Sequence, residues 1–524
     1  MLEKKPWTEQ VQILLSRDVH AWVMTLLAGF CAALVRLPGL GRVTSLSFDE
    51  TYYVKDAYAL WTLGFEGKWG LPQGSPIDPE NKKAVRDAIN GAFANGDFSM
   101  LSPEPAYVVH PQTGKWLIGL GMQLFGPDNP VGWRITAALA GIVCVILICR
   151  IAWHLFYNHG LVLLAGMLLA GDGVSIVLSR TALLDVFLTV FSLGAFLAVV
   201  LDYRSTRPIL ARRLAEFNQE DSHGRAVLGP HAGARPWLIT AGVLSGLAIS
   251  VKWSGLYVLA VLGLFVVSYE ITSRYGRLSH AVLAAIIVEG IPAFLLMVPS
   301  GVFAYIASWW SWFTHSGSWG RNTPGFLGAF SDFIIYHQQM FTFHSGLSSE
   351  HAYMSSAPDW LIQRRPTSFV YNKIGTCGDT ECVQAVLALG NPLLWWIATL
   401  CLVFLVIVCV LKLRNGKDAF CEATILAGYL ATYVPWFAYL NRTTFNFYTV
   451  VIAPFAALTI TWAVREAVRF AHRSSTVTRN GIYAAIATVL IAIALATVFF
   501  YPVWTGMEIT RESWQLRMWL HSWI

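Results

Sequence analysis

The sequence predicts an all-α polytopic membrane protein, and three observations carry that prediction. Only 13% of the 524 residues are charged and 55% are hydrophobic, where a soluble chain would carry about 25% charged residues. The mean hydropathy is +0.52, and several apolar runs reach the roughly 20 residues a helix needs to cross a bilayer. Lys and Arg cluster in short loops between those runs. The net charge of +6 therefore reflects membrane topology and does not point to nucleic acid.

Candidate spans cover residues 20–40, 131–152, 160–178, 182–201, 237–251, 253–270, 280–300, 391–412, 419–439, 446–464 and 481–501, about eleven in all. Lys4, Lys5 and Arg17 precede the end of the first run, and no small-residue cleavage site follows it. It is expected to be a retained span with the N-terminus in the cytoplasm. Eleven spans then place the basic loops on one side: Arg204, Arg207, Arg212, Arg213, Arg225 and Arg235, then Arg274 and Arg277, then Lys412, Arg414 and Lys417, then Arg465, Arg469, Arg473 and Arg479. Residues 237–270 divide at Lys252-Trp253-Ser254-Gly255. Merging them would invert every later loop and put two strongly basic ones outside.

The C-terminus and two long loops are then outside. The first, 41–130, holds Ser47-Phe48-Asp49-Glu50-Thr51-Tyr52-Tyr53 and His110-Pro111-Gln112-Thr113-Gly114-Lys115. Its apolar stretch Trp116–Phe125 is too short to span and predicts an interfacial helix. The second, 302–390, opens with Ser308-Trp309-Trp310-Ser311-Trp312, which suits an aromatic belt. It also contains Cys377 and Cys382 in a polar loop, expected to form a disulfide on an oxidising side. The chain shows no sequence repeat, and it is expected to be one membrane domain over residues 1–524.

Ionisable residues beside the spans share one address, the outer edge: Asp49 and Glu50, Arg134, Asp172, Arg180, Asp185, Lys252 and Arg442. Such residues default to functional hypotheses. A transporter would favour midplane sites on repeated halves, so a transporter or flippase fits less well. Outer-edge charge suits an enzyme whose substrate has its tail in lipid and its head at the surface. A sugar leaving a lipid phosphate needs cations aimed at the phosphate oxygens, and a hydroxyl acceptor needs a general base. His337, His344 and His351 recur every seven residues. On one helix they would lie about 10.5 Å apart, too far for all three to bind one zinc. No metal site is expected from them.

These motifs resemble the protein O-mannosyltransferase family. Phe48-Asp49-Glu50-Thr51-Tyr52-Tyr53 looks like its first-loop acidic signature, and residues 110–115 resemble its His-Pro-Pro-x-Gly-Lys box, with Gln112 and Thr113 as variations. Trp133-Arg134 fits the arginine opening the second span. Ser179-Arg180 through Asp185 is similar to a Ser-Arg-x-x-x-Leu-Asp box, and Lys252-Trp253-Ser254-Gly255-Leu256 to a Lys-Trp-x-Gly-Leu box. Tyr336-His337, Phe343-His344, His351-x-Tyr353 and Arg364-Arg365-Pro366 match the second loop of bacterial members. The resemblance runs from about 45 to 450.

It implies a GT-C fold and inverting transfer of one mannose from polyprenyl phosphate mannose to Ser or Thr of a secreted or membrane protein. The acceptor would emerge from the translocon at the outer face of a bacterial cytoplasmic membrane. The second loop is too short for the β-trefoil domain of eukaryotic members, so acceptor recognition falls to the two loops. Asp49 is assigned as general base and Glu50 to acceptor placement, with the roles exchangeable. Arg134, Lys252 and Arg442 are candidates for the donor phosphate. Arg180 and Asp185 are expected either to pair and brace their turn or to act in the site. His110 and Lys115 would orient the acidic loop, and His351 and Tyr353 would close the site from above. No cofactor is assigned, and one of the two acids could instead hold a divalent cation. The nearest alternative is a GT-C transferase acting on a lipid or cell-wall glycan.

Overall fold

The computed structural model describes residues 7–220, 228–278 and 280–524. Lys4, Lys5, Arg225 and the Arg17 side chain lie outside the described residues. The first half of the chain forms α1 (Trp7–Arg36), α2 (Glu50–Leu63), α3 (Lys82–Ala94), α4 (Thr113–Phe125), α5 (Pro130–Phe156), α6 (His159–Ala170), α7 (Gly173–Leu178), α8 (Asp185–Glu220), α9 (Pro236–Ile249) and α10 (Gly255–Arg274). The second half adds α11 (Ala281–Ala284), a π-turn, α12 (Ile291–Ala307), α13 (Trp310–Thr314), α14 (Gly325–Gly346) and α15 (Ala357–Trp360). It closes with α16 (Pro392–Arg414), α17 (Phe420–Thr432), α18 (Ala453–Ala471), α19 (Thr476–Trp504) and α20 (Arg511–Leu516).

Each predicted span is helical, but the helices are unequal. Among the described residues, seven are long and apolar enough to cross a bilayer on length and composition. Helices α6 and α9 have only 12 and 14 residues. The break predicted at Lys252 is present between α9 and α10. A second break, between α6 and α7, has a clear cause. One Asp172 carboxylate oxygen caps α7 by accepting from the Ser175 amide at 3.0 Å. The other accepts from the Asn391 amide at 3.1 Å and the Trp395 indole at 2.8 Å. Asp172 is thus a buried cap that joins α7 to α16, not a site residue. Helices α9 and α12 pack backbone to backbone, because Gly242 and Gly246 face the Met297 and Gly301 carbonyls where any Cβ would collide.

The basic ends of the helices meet opposite the long loops. There Arg235 and Arg274 share Glu270 and Glu289, and Arg235 also pairs with Asp202, all at most 5% exposed. Arg235 lies 3.1 Å from Glu289 and 3.3 Å from Glu270, and its contact with Asp202 is also direct. Glu289 sits in the π-turn Ala285–Gly290, whose wider turn accommodates it beside Arg274, 3.2 Å away.

The two long loops, 41–130 and 302–390, are more ordered than the sequence suggested. The predicted interfacial stretch is α4. Strands β1 (Gly67–Trp69) and β2 (Leu101–Pro105) form an antiparallel pair. Strands β3 (Thr367–Cys377), β4 (Thr380–Ala388) and β5 (Glu508–Thr510) form an antiparallel sheet in that order. The Cys377–Cys382 disulfide closes the β3–β4 turn.

Removing one partner of a buried ion pair costs about 3–5 kcal/mol, whereas an exposed pair contributes about 0–1. Arg235→Ala should therefore lower the thermal unfolding temperature in detergent markedly. Lys68→Ala, which breaks the exposed Lys68–Glu104 pair, should leave it nearly unchanged.

Candidate active site

Adjacent carboxylates on a starting helix point in different directions, about 100° apart. Here that separates their fates. Glu50, the first residue of α2, is fully buried. Its two oxygens accept from Arg134 Nε and Nη2, both at 2.7 Å, from the Ala182 amide at 2.8 Å, and from the Ser47 amide and hydroxyl at 2.9 and 2.8 Å. Arg134 spends its remaining donors on the Val43 and Ser45 carbonyls. Burial alone would raise the Glu50 pKa, but the Arg134 charge and hydrogen bonds hold it below the usual range. Glu50 was expected to place the acceptor and Arg134 to hold the donor phosphate, but in this structure their polar atoms are engaged within the protein. Both are saturated by each other and by the chain between α1 and α2.

Asp49 is the partly exposed neighbour. It sits at the N-cap of α2, yet its side chain makes no cap hydrogen bond. Burial pushes its carboxyl up to about 6, with Asp185 adding to the rise while Lys252 and Tyr53 oppose it. Such a group is ionised at neutral pH and basic enough to take a proton.

Lys252 and Asp185 line a cavity of about 640 Å³ between α8, α10, α12 and α14. Its walls are apolar, with Leu188, Leu256, Leu259, Val298, Val302 and Phe341 among them. Its polar groups collect toward the long loops: Lys252, Asp185, His110, His344 and Arg442. Lys252 donates to Asp185 at 2.7 Å. Burial would discharge the amine, but Asp185, Tyr448 and Asp49 outweigh it and keep the pKa raised.

The expected Arg180–Asp185 pair does not form. Arg180 instead donates to the Arg36, Pro38 and Gly39 carbonyls, so it braces the exit from α1. Sequence proximity suggested the pairing; the turn between α7 and α8 sends the two side chains apart.

Hydrogen-bond partners fix two histidine tautomers in the wall. The His344 Nε2–H donates to the Val109 carbonyl at 2.7 Å, leaving Nδ1 toward Arg442. His337 Nδ1–H donates to the Phe333 carbonyl, so Nε2 accepts from the Tyr305 hydroxyl at 2.7 Å. Tyr305 in turn accepts from the Trp253 indole at 3.0 Å, which anchors the residue next to Lys252. Arg442 is half-buried, donates to the His344 carbonyl at 3.1 Å and lies over Trp436.

His110 contacts the Tyr53 and His344 rings, and its buried Nδ1 has no partner. Burial and the Lys252 charge push its pKa well below the histidine range. His110 therefore belongs to the cavity and does not merely steady the acidic loop. Lys115 acts further off. It pairs with Asp56 and Glu66, both at 3.0 Å, and so locks α4 to α2.

His351 and Tyr353 do not line the cavity. The His351 ring packs on Phe48 and Phe445, and Tyr353 lies under Arg365. The sequence marked His337, His344 and Trp253 through their motifs, but it gave no sign of Tyr305, which links Trp253 to His337. The seven-residue spacing of His337 and His344 already placed both on one face, and both do line the cavity.

This helical bundle, with an apolar cavity whose lining carries a carboxylate and cations, has the fold of the GT-C glycosyltransferases. The chain aligns over 96% of its length with 92% of a yeast chain from a structure described as the S. cerevisiae protein O-mannosyltransferase Pmt1-Pmt2 complex bound to the sugar donor, at a TM-score of 0.70 and 14% identity. It aligns over 94% with 56% of the archaeal oligosaccharyltransferase AglB from Archaeoglobus fulgidus, at a TM-score of 0.50 and 10% identity. Residues 109–209 match the family model for dolichyl-phosphate-mannose-protein mannosyltransferase. Residues 329–523 match the C-terminal four TMM region of protein-O-mannosyltransferase. Proteins named polyprenol-phosphate-mannose–protein mannosyltransferase are similar over nearly their whole length. That of Mycolicibacterium smegmatis MKD8 is 30% identical over 96% of this chain and 93% of its own. That of Mycobacterium tuberculosis H37Rv is 29% identical over 96% and 92%, and that of Corynebacterium glutamicum is 28% identical over 97% and 94%. The chain belongs to the polyprenol-phosphate-mannose–protein mannosyltransferase family.

Because Glu50 and Arg134 serve each other, Arg134→Ala should destabilise the protein by about 3–5 kcal/mol. The fraction that folds should bind donor with unchanged KM. Thermal unfolding combined with donor titration checks both halves, and a raised donor KM would return Arg134 to the phosphate site.

Proposed function

We propose that this protein transfers mannose from polyprenyl phosphate mannose to Ser or Thr hydroxyls of secreted or membrane proteins, with inversion, at the outer face of the cytoplasmic membrane. The observation that carries this reading is Asp49. It is a carboxylate that caps no helix amide and whose side-chain hydrogen bond comes from Tyr53, with a pKa near 6, close to Lys252 at the polar end of the cavity. The basic helix ends opposite the long loops support a cytoplasmic N-terminus and an outer site.

In this mechanism the polyprenyl chain lies along the apolar wall and its phosphate meets Lys252 and Arg442, with the His110 ring part of the same wall. Asp49 accepts the proton of the acceptor hydroxyl as that oxygen bonds to the sugar carbon. The bond from that carbon to the phosphate oxygen breaks, and the lipid phosphate leaves with the negative charge. Lys252 offsets that charge while Asp185 holds the ammonium in place. Without a β-trefoil domain, the two outer loops position an extended acceptor segment as it leaves the translocon.

Asp49→Asn should cost on the order of 10²–10⁴ in turnover while the protein remains folded. Radiolabelled mannose transfer to a Thr-rich peptide measures this, and wild-type turnover would remove Asp49 as the base. A lipid or glycan accepting mannose in place of the peptide would instead favour the rival acceptor class.

The base must be ionised. Activity should hold above about pH 6 and fall below it as Asp49 takes up a proton. The wild-type pH–rate profile tests that limb. Lys252→Ala should raise the donor KM far more than the peptide KM.

A further inference from the structure

The residue before the base is unusual. Phe48 has φ +50°, the left-handed region that bulky residues rarely enter. Such strain persists only where the surroundings over-determine it. Its ring is enclosed by four others. Phe369 stacks on it at 5.1 Å, while Phe445 at 5.3 Å, Phe447 at 5.5 Å and His351 at 5.9 Å meet it edge-on. These partners come from the second outer loop, from β3 and from the segment before α18. Phe447 also lies 6.0 Å from Lys252 Nζ, so one aromatic seat touches both the strained turn and the cation.

We propose that Phe48 is a positioning residue: its ring, seated among Phe369, Phe445, Phe447 and His351, holds the left-handed turn that sends Glu50 to Arg134 and Asp49 toward Lys252. The inference rests on Asp49 being the base. The seat couples the second outer loop to the geometry of the first, so a displaced loop misaims the carboxylate. Phe48 itself touches no substrate.

The test uses the full-length purified enzyme with polyprenyl phosphate mannose and a Thr-rich peptide. Phe48→Ala should lower kcat on the order of 100-fold, the cost of a misplaced group, with donor KM little changed. The acid limb should also move from about pH 6 toward about 4, the ordinary carboxylate range, as Asp49 becomes hydrated. A merely structural loss would lower the active fraction and leave the limb in place. Phe48→Tyr, which keeps the ring, should restore both. Phe369→Leu should shift the limb in the same direction and decides the matter if Phe48→Ala does not fold.

The groups facing Asp49 are Tyr53 on its own helix, Asp185, Lys252 and Tyr448. Of the seat residues, His351 is itself titratable, its pKa lowered by burial, so His351→Gln should leave the limb near pH 6. An Asp49→Asn variant that still transfers mannose would mean that the base assignment has failed. Loss of activity in Asp49→Asn together with wild-type kcat and limb in Phe48→Ala would overturn the positioning role alone.

Discussion

The active end of the molecule depends on the Glu50–Arg134 pair. Two charge-assisted hydrogen bonds of 2.7 Å join the start of α2 to the start of α5, and the amides of Ser47 and Ala182 draw in two further segments. A buried ion pair gains little net stability, because desolvation offsets its attraction. What it supplies here is geometry. It fixes the exit from α1 against the α7–α8 turn, and in doing so it occupies both oxygens of one of two adjacent carboxylates. Asp49 is left as the available acid.

The remaining polar groups divide the work in the same way. Arg36 and Arg180 are buried but serve backbone carbonyls and serine hydroxyls around the α1 exit. Asp172 caps a helix, and Lys115 bridges two acids. Lys252, held by Asp185 and flanked by the Trp253–Tyr305–His337 chain, is the cation placed in the cavity wall with its charge preserved. Arg442 joins it from the loop before α18. The site is thus a small set of groups left open by a larger set of satisfied ones.

Much of this was legible in the sequence. Span length and loop charge located the helices, and the positive-inside pattern placed the break at Lys252. The acidic, His-Pro and Lys-Trp boxes marked three walls of the site. The β3–β4 hairpin went unread, although β-branched and aromatic residues flank Gly378-Asp379, a turn signal. The α6–α7 break was hidden inside an apolar run, where only Gly171-Asp172-Gly173 gave notice. Pairings across the chain were beyond reach. Glu50 and Arg134 lie 84 residues apart and Asp185 and Lys252 lie 67 apart, while the nearby Arg180 made a misleading partner for Asp185. Spacing likewise could not say which of two neighbouring acids was free.

If Glu50 is committed to Arg134 and Asp49 acts only as a base, transfer is a single displacement at the sugar carbon. A covalent mannosyl-enzyme would need a nucleophilic carboxylate on the opposite face and would retain configuration. The direct measurement is the anomeric configuration of mannose in the product glycopeptide, read by NMR against that of the donor. Inversion is the expected outcome. Retention of configuration would contradict it.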